Sequence, residues 1–189
     1  MSSVSGAPGS GELVTVGIQQ STDSGTSRRA LRCLASGVTV LTVNSDGLLH
    51  GTTVSSLVAI SRTPLVLGAC LRLSSGFTEL ARKSGSFSVN VLSSEQASVA
   101  RWFASPDRGQ GGAQFADVVW STDRHTGAPL LDGSLAHMAC AYLGSQRIGD
   151  HDLITAEVIA GAPGTGVPLL SFAGGLCQEG SPAPGTADL

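Results

Sequence analysis

The sequence predicts a mainly β protein, a β-barrel with short helices added to it, and three observations support this prediction. Hydrophobic residues make up 41% of its 189 positions, enough for one domain to bury a sizeable core. Alternating or continuous apolar segments recur along the chain, with turn signals between them. Only three short stretches show helical spacing, which favours a barrel over a parallel α/β sheet.

One globular domain is predicted between two polar ends. Residues 1–27 are rich in Ser, Gly and Thr and are expected to form a flexible N-terminal arm. Residues 179–189, EGSPAPGTADL, are expected to form a disordered C-terminal tail. The segment between them, 28–178, has no internal repeat and is predicted to fold as a single domain.

The first half of this domain is predicted to be a short helix followed by four strands. Ser27 is a candidate helix N-cap, and Leu31 and Leu34 are expected to face the core. GVTVLTVN and LLHGTTV alternate like two strands, and Asp46-Gly47 between them is a strong hairpin signal. SLVAIS predicts a third strand, and PLVLGACL predicts a fourth that is buried on both faces.

The second half combines two helices with three strands. A helix is predicted from about Ser75 to Lys83, with Gly85 ending it, before the strand FSVNVL. Ser93 and Gln96 form a capping-box pattern at the start of the helix SEQASVARWFAS. PDRGQGGAQF is typical of a mobile loop. AHMACAYLGSQRI and HDLITAEVIAG predict two long strands joined at a Gly-Asp turn.

Charge and hydropathy exclude several classes of partner. The formal net charge is −3, and the 11 Lys and Arg residues are scattered, which disfavours binding to nucleic acid or to an anionic membrane. The chain has no signal-peptide pattern and no run of about 18 apolar residues, so no membrane span is expected. We therefore expect neither nucleic acid nor a membrane among the partners.

The cysteines indicate a reducing compartment. Cys33, Cys70, Cys140 and Cys177 lie far apart, without a CxxC motif, and each is expected to be a buried small hydrophobic residue. A disulfide or zinc site has little support at this spacing, and the four histidines form no HxxxH pair. We expect a cytoplasmic protein without a metal site.

No nucleotide-binding or hydrolase motif is present, but small hydroxylic residues cluster at predicted strand ends. Such hydroxyls, with nearby backbone N–H groups, can hold a phosphate or a planar heterocycle. Ordinary capping and turn chemistry is the alternative explanation for them. The clusters are Thr52, Thr53, Ser55 and Ser56; Ser74 and Ser75; and Ser93 and Ser94.

An ordered series of segments gives the chain a family resemblance. ALRCLASGVTVLT, HGTTVSSLVAIS, PLVLGACL and SSGFTELARKSGSFSVNVLSSEQASVARWFA follow one another in the first two thirds of the sequence. FADVVW, TGAPLLDGSLAHMAC and GDHDLITAEV continue the series. Together they resemble the flavin reductase family, the small reductase components of two-component flavin-dependent monooxygenases, over nearly all of residues 28–172.

The resemblance implies a fold, an activity and partners. The fold is the FMN-binding split barrel, assembled as a homodimer. The activity is an NAD(P)H:flavin oxidoreductase, which transfers hydride from NADH or NADPH to FMN or FAD. The partner is a separate monooxygenase, which receives reduced flavin by diffusion. Separately, the composition, with its excess of Ala and Gly and of Arg over Lys, fits a bacterial source.

The resemblance also implies site residues. The TVSS segment corresponds to positions along the flavin ring, the paired serines to the ribityl phosphate, and the VNVL and WFA segments to further flavin contacts. His151, in the GDH turn, corresponds to a position near the nicotinamide and is the candidate catalytic residue. The implied cofactor-binding residues are Thr53, Val54, Ser55, Ser56, Ser74, Ser75, Asn90, Val91, Leu92, Phe103 and Ala104.

Several positions depart from the family pattern and support an alternative. Phe77 replaces a hydroxylic residue near the expected phosphate position, and His137 and Ala139 replace a Trp and a Glu. The Gly-Arg-Tyr type of ending is absent from residues 171–176. The alternative is a biosynthetic flavin-binding enzyme that retains its flavin or has lost reduction by a nicotinamide; a third possibility is a non-catalytic binding module.

Overall fold

The computed structural model describes residues 24–177 and consists mainly of antiparallel β-strands. Its α-helices are α1 (Ser24–Leu31), α2 (Phe77–Ser84) and α3 (Ala97–Ala104), and single 3₁₀ turns cover Leu73–Ser75, Ser94–Gln96 and Gly111–Phe115. The strands are β1 (Ser36–Gly37), β2 (Thr39–Ser45), β3 (Leu48–Val54), β4 (Val58–Arg62), β5 (Leu65–Arg72), β6 (Ser86–Val91), β7 (Trp120–Thr122), β8 (Pro129–Leu131), β9 (Ala136–Ile148), β10 (His151–Pro163), β11 (Leu170–Phe172) and β12 (Gly175–Cys177).

A seven-stranded sheet dominates the fold. Its order is β3-β2-β6-β9-β10-β5-β4, and a three-stranded sheet (β1-β11-β12) and a two-stranded one (β7-β8) accompany it. One buried apolar cluster takes side chains from β2, β3, β5, β6, β9 and β10, so strands near both edges of the large sheet share one core. The sheet must therefore curl around that core, as a barrel does. The predicted mainly β class with short helices is confirmed.

A hydrogen-bonded serine joins the two ends of the curled sheet. Ser56, just after β3, donates its hydroxyl proton to the carbonyl of Cys70 in β5 at 2.9 Å. The same hydroxyl oxygen accepts the backbone N–H of Cys70 at 3.0 Å. This bond continues the antiparallel register of β4 with β5, in which Val58 lies opposite Gly68. The short link that contains Ser56 carries the chain from β3 at one edge of the sheet to β4 at the other, so the two edges are brought together there.

The predicted hairpins form where the turn residues indicated. Ser45 pairs with Leu48, and the two residues between them, Asp46 and Gly47, have φ values of 54° and 86°. Positive φ at both positions matches the right-handed twist of the strands, which is why Asp-Gly is favoured there. The long β9–β10 hairpin, predicted from two alternating segments, is also confirmed.

Capping residues set the ends of the helices as predicted. Gly85 has a φ of 73° and its N–H bonds to the Ala81 carbonyl, which ends α2. Ser93 and Gln96 form the reciprocal capping box before α3. Helix α3 packs Phe103 into a second buried cluster that also contains residues of β2 and β8.

Four expectations, three of them about burial, were wrong. Helix α1 begins at Ser24, not at Ser27, and Leu31 and Leu34 are 67% and 71% exposed because nothing in the described chain covers them. Strand β5 is not buried on both faces: it lies beside the edge strand β4, and within residues 24–177 its Leu65, Cys70 and Arg72 stay exposed. Cys33 and Cys70 are exposed for the same lack of cover, although the thiols of all four cysteines are free.

The predicted ends of the domain lie largely outside the described residues. Of the predicted arm, 1–27, only 24–27 are described, as the first turn of α1; none of the predicted tail, 179–189, is described. In the part of the chain between Ser24 and Cys177, no helix is long and apolar enough to cross a membrane.

Candidate functional site

A cavity of about 1060 Å³ opens where the end of β3 meets the end of β5. The start of α2, the end of α3 and the following residues complete its wall. Curling of the sheet creates this meeting point, because the Ser56 bridge holds the two strand ends together. A cavity of this size has room for a nucleotide-sized ligand and a second planar group beside it.

Nine of the twelve predicted site residues line this cavity. They come from four separate segments of the chain, which supports the idea that the family segments converge on one site. The nine are Thr53, Val54, Ser55, Ser56, Ser74, Ser75, Phe103, Ala104 and His151.

Asn90, Val91 and Leu92 do not line the cavity. Asn90 is fully buried, donates to the Val40 carbonyl at 3.1 Å and accepts the Leu131 N–H at 2.8 Å. Its amide therefore ties β8 to the large sheet. Val91 packs against the first core cluster and Leu92 is wholly buried in the second, so both side chains are committed to packing.

The cavity hydroxyls divide into structural and available groups. Thr53 donates to the Ala100 carbonyl at 2.8 Å, and Ser56 is fully used in its bridge to β5. Ser75 accepts the Phe77 N–H at 3.3 Å at the start of α2. The hydroxyls of Ser55 and Ser74 have no hydrogen-bond partner within residues 24–177, so they are available to a ligand.

His151 reaches the cavity through the register of β10 and β5. It lies opposite Arg72, at the end of β5 and two residues before Ser74. Its Nδ1 donates to the Asp150 carboxylate at 2.8 Å, which lowers the pKa of Asp150. The hydrogen bond at Nδ1 orients the ring and leaves Nε2 available.

A chain of hydrogen bonds that the sequence did not predict crosses the cavity wall. Gly51 donates its N–H to Gln114 Oε1 at 2.9 Å, so the other end of this amide must donate. Gln114 Nε2 lies 3.1 Å from His50 Nδ1, which therefore accepts. The proton of the neutral imidazole must then be on Nε2, which is buried without a hydrogen-bond partner among the described residues.

His50 is neutral at physiological pH. Burial lowers the pKa of this imidazole from 6.5 to about 4; the nearby Arg108 cation adds to the effect and the Ser75 main chain opposes it. Burial disfavours the charged form because a cation loses its hydration. The neutral Nε2–H group is thus buried beside the Ser75 main chain at the base of the cavity wall.

Residues 105–115, which we name the β3 clamp, follow α3 and pack along β3. Arg108 donates to the Gly51 carbonyl at 3.1 Å and to the Ser105 carbonyl at 2.6 Å. Trp102 donates its indole N–H to the Gln114 carbonyl at 2.7 Å. The expectation of a mobile loop here was wrong, because Gln114 and Phe115 are buried and these hydrogen bonds fix the segment.

The alternation of side chains along β3 could have predicted that His50 points into the protein. His50 lies on the same face as Thr52 and Val54, both buried, so it could have been expected to point inward. Arg108 and Gln114 gave no such signal, because they lie in a Gly-rich segment whose path is set by contacts distant in sequence.

The substitutions that set the chain apart from the family pattern lie outside the cavity wall. Phe77 is wholly buried and meets Phe87 edge to face, with ring centroids 5.6 Å apart, so its ring does not enter the cavity. The His137 ring bonds to the Leu131 carbonyl, and Leu176 packs against the second core cluster. Neither they nor Ala139 lines the cavity.

Comparisons with known proteins agree with this architecture. The model of the flavin reductase like domain matches residues 31–180. An NADPH-flavin oxidoreductase from Streptomyces viridifaciens is 40% identical over 150 residues, which are 79% of this chain and 77% of that protein. The reductase component of a 4-nitrophenol 4-monooxygenase/4-nitrocatechol 2-monooxygenase from Rhodococcus opacus is 34% identical, over 83% of this chain and 82% of that one.

A solved structure shares the fold. It is the NADH:FAD oxidoreductase of Streptomyces globisporus C-1027 in complex with NAD and FAD fragments. The TM-score is 0.76 at 26% sequence identity, and the match covers 90% of this chain and 100% of the other.

Gly51 provides the first test of this site. A Cβ added to Gly51 would lie 2.5 Å from Phe103 Cε1 and 3.3 Å from Phe115 Cζ, both in the packed interior. We expect Gly51→Ala to lower the free energy of unfolding by about 1–3 kcal/mol, because buried rings must move to admit the methyl group. Urea denaturation followed by circular dichroism measures this change.

Gly144→Ala is the matched control. Gly144 also lies in a strand, but an added Cβ there meets nothing within 4 Å. Its free energy of unfolding should change by no more than about 0.5 kcal/mol. Equal stability of the two variants would contradict the close approach of the Phe103 and Phe115 rings to Gly51.

Proposed function

This chain belongs to the flavin reductase-like family, and from that membership we propose that it is an NAD(P)H:flavin oxidoreductase acting on FMN or FAD. The observation that carries the proposal is the convergence of nine family-implied residues on one large cavity. The relatives named above are flavin oxidoreductases or the reductase component of a monooxygenase.

The residues of the cavity fit a flavin nucleotide. Small hydroxylic residues and the main chain at the ends of β3 and β5 offer hydrogen bonds without filling the space that a tricyclic ring requires. The hydroxyls of Ser55 and Ser74 are available, and Leu48 and Leu80, which are not fully buried, supply apolar surface. This combination of apolar wall and few polar groups is typical of cofactor sites.

The chemistry is that of the two ring systems: the nicotinamide gives a hydride and the flavin accepts it. The protein's task is to hold the rings together and to exclude water. We assign residues 53–56 to the flavin ring, Ser74 and Ser75 to its side chain, and His151 to the nicotinamide. With Nδ1 held by Asp150, the His151 ring is oriented to position the nicotinamide through Nε2.

The reduced flavin is proposed to pass by diffusion to a separate monooxygenase. The Rhodococcus relative is the reductase component of such a system. Two hydroxyls of the cavity wall, those of Ser55 and Ser74, have no hydrogen-bond partner within residues 24–177, which suits a flavin that binds through few contacts, is reduced and leaves. Four free thiols fit a reducing cytoplasm, where NADH and NADPH are available.

We further propose that the protein is a homodimer. Large apolar side chains are exposed on the outer strands: Val58, Ile60 and Leu65 on β4 and β5, and Leu143, Ile148 and Ile159 on β9 and β10. These four strands lie side by side in the sheet, and large apolar residues exposed on adjacent strands are typical of an interface. A second copy of the chain is the partner that the family resemblance implies.

An assay of nicotinamide oxidation tests the activity. Purified protein is mixed with FMN or FAD and with NADH or NADPH, and the loss of reduced-nicotinamide absorbance is followed. We expect turnover that depends on free flavin. Tight flavin binding without nicotinamide oxidation would instead support the alternative of a flavin-retaining enzyme, and no flavin binding would contradict both.

His151→Ala tests the assignment of the nicotinamide side. We expect a KM for the nicotinamide about tenfold higher, as for loss of one hydrogen bond to a ligand, with the Kd for flavin unchanged. His125→Ala is the matched control, because His125 is an exposed turn histidine outside the cavity. Identical kinetics of the two variants would contradict the role of His151.

Val58→Asp tests the interface. Light scattering after gel filtration should give twice the 19.0 kDa chain mass for the unmodified protein. The charge at Val58, which is 53% exposed on β4, should shift the protein toward the monomer. Val119→Asp, at a position 73% exposed in a loop, should leave the mass unchanged. A monomeric unmodified protein would refute the dimer.

A further inference from the structure

His50 lies between two walls of the cavity that come from distant parts of the chain. One wall is the β3 clamp, whose Gln114 Nε2 lies 3.1 Å from His50 Nδ1. The other is the 3₁₀ turn Leu73–Ser75, which we name the serine turn; the Ser75 main chain lies beside the imidazole. One side chain of β3 therefore contacts both walls.

The serine turn is held by few contacts. None of its three residues is buried, and no side chain caps it. The Leu73 N–H donates to the Asp150 carbonyl at 3.3 Å, which anchors the first end of the turn to the β9–β10 turn. After Ser75 the chain changes direction at Gly76, whose φ is 69°, before α2 begins. The support that the Ser75 end receives from β3 is therefore the His50 ring.

The position of this ring is itself fixed. Gln114 Oε1 accepts the Gly51 N–H at 2.9 Å, so the amide nitrogen must face His50 Nδ1. Phe77 packs beside the imidazole, with ring centroids 6.2 Å apart. Nε2 is buried and makes no hydrogen bond within residues 24–177, so the ring supports the serine turn by contact and not as a donor.

Only the neutral imidazole can keep the bond to Gln114. A proton on Nδ1 would place two donors, one from His50 and one from Gln114, against each other. Arg108 is the cation beside the ring, and it opposes that proton at every pH at which proteins fold. Glu79, a carboxylate of the cavity wall on α2, is held by Arg82 at 2.7 Å. The uncharged neighbours of the ring are Gln114, Val43 on β2 and Phe77 on α2.

We propose that His50 is a positioning residue: its neutral ring joins the β3 clamp to the serine turn and holds the cavity in the shape that receives the flavin side chain. The inference rests on the proposed function, which assigns Ser74 and Ser75 to that side chain. It gives a role to a residue that the family resemblance left without one. Loss of either contact, or a proton on the ring, lets the serine turn move relative to β3.

Two substitutions of His50 separate its two contacts. His50→Asn keeps an acceptor oxygen near the position of Nδ1 but is too short to reach Ser75. His50→Phe reaches Ser75 but offers Gln114 no acceptor. We expect each to raise the KM for flavin about tenfold, as for loss of one positioning contact. The KM for the nicotinamide should not change, because Leu73 stays bonded to Asp150.

His137→Asn and His137→Phe are the matched controls. The His137 ring is also half-buried and bonded, through Nε2 to the Leu131 carbonyl at 2.9 Å, but it lies outside the cavity. We expect these variants to lower the melting temperature as much as the His50 variants do and to leave the KM for flavin unchanged. A KM for flavin that rises equally in both pairs, or in neither pair, would overturn the positioning role.

Hydrogen exchange at the Gly51 amide tests the need for a neutral ring in the absence of flavin. Gln114 Oε1 holds this N–H, so its exchange rate, divided by the intrinsic rate at each pH, gives the constant for opening of the β3 clamp. Burial lowers the pKa of His50 from 6.5 to about 4, and opening removes this effect. The opening constant should therefore be about tenfold higher at pH 5.5 than at pH 7.5. This rise should vanish in His50→Phe and persist in His137→Phe.

The Leu41 amide separates this local opening from unfolding of the whole sheet. Leu41 is wholly buried on β2 and is paired on both sides, with Thr52 and Val89. We expect the Gly51 amide to be less protected than the Leu41 amide at both pH values. Equal protection of the two amides, or an opening constant that does not change with pH, would overturn the inference. If the unmodified protein bound no flavin, the proposed function would fail, and the exchange measurements would still decide whether His50 holds the two walls together.

Discussion

The bridge between Ser56 and Cys70 is the constraint on which the site depends. Strands β3 and β5 are not neighbours in the sheet, and their ends meet only because the sheet curls around one core. The serine hydroxyl both donates to and accepts from the Cys70 main chain, so it fixes the link between the two edge strands, β3 and β4, to β5 in the register of the β4–β5 pair. The cavity is the space left beside this closure.

Local chemistry explains why much of the fold could be predicted. Alternation of apolar residues, the Asp-Gly turn, the capping box at Ser93 and the terminating Gly85 each act within a few residues, and each formed as predicted. Burial depends on distant partners. The exposure of Leu31 and of Cys70 could not be predicted, because no local pattern shows whether another element covers them.

The site residues show the same difference between local patterns, which the sequence reveals, and contacts between distant segments, which it does not. The segments of the family pattern brought nine residues to the cavity, whereas Asn90 was assigned to it and proved to hold β8 in place. On a strand the side chains alternate between faces, and a sequence motif does not state which face the ligand meets. His50, Arg108 and Gln114 were missed because their contact requires the folded path of the β3 clamp.

The β3 clamp has a further effect on how the molecule behaves in solution. Strand β3 is an edge of the large sheet, and an edge with free N–H and carbonyl groups is a template for pairing with another chain. Gln114 and Arg108 occupy both backbone groups of Gly51, and the ring of Phe103 leaves no space beside it. The residues that shape the cavity thereby also protect this edge from aggregation.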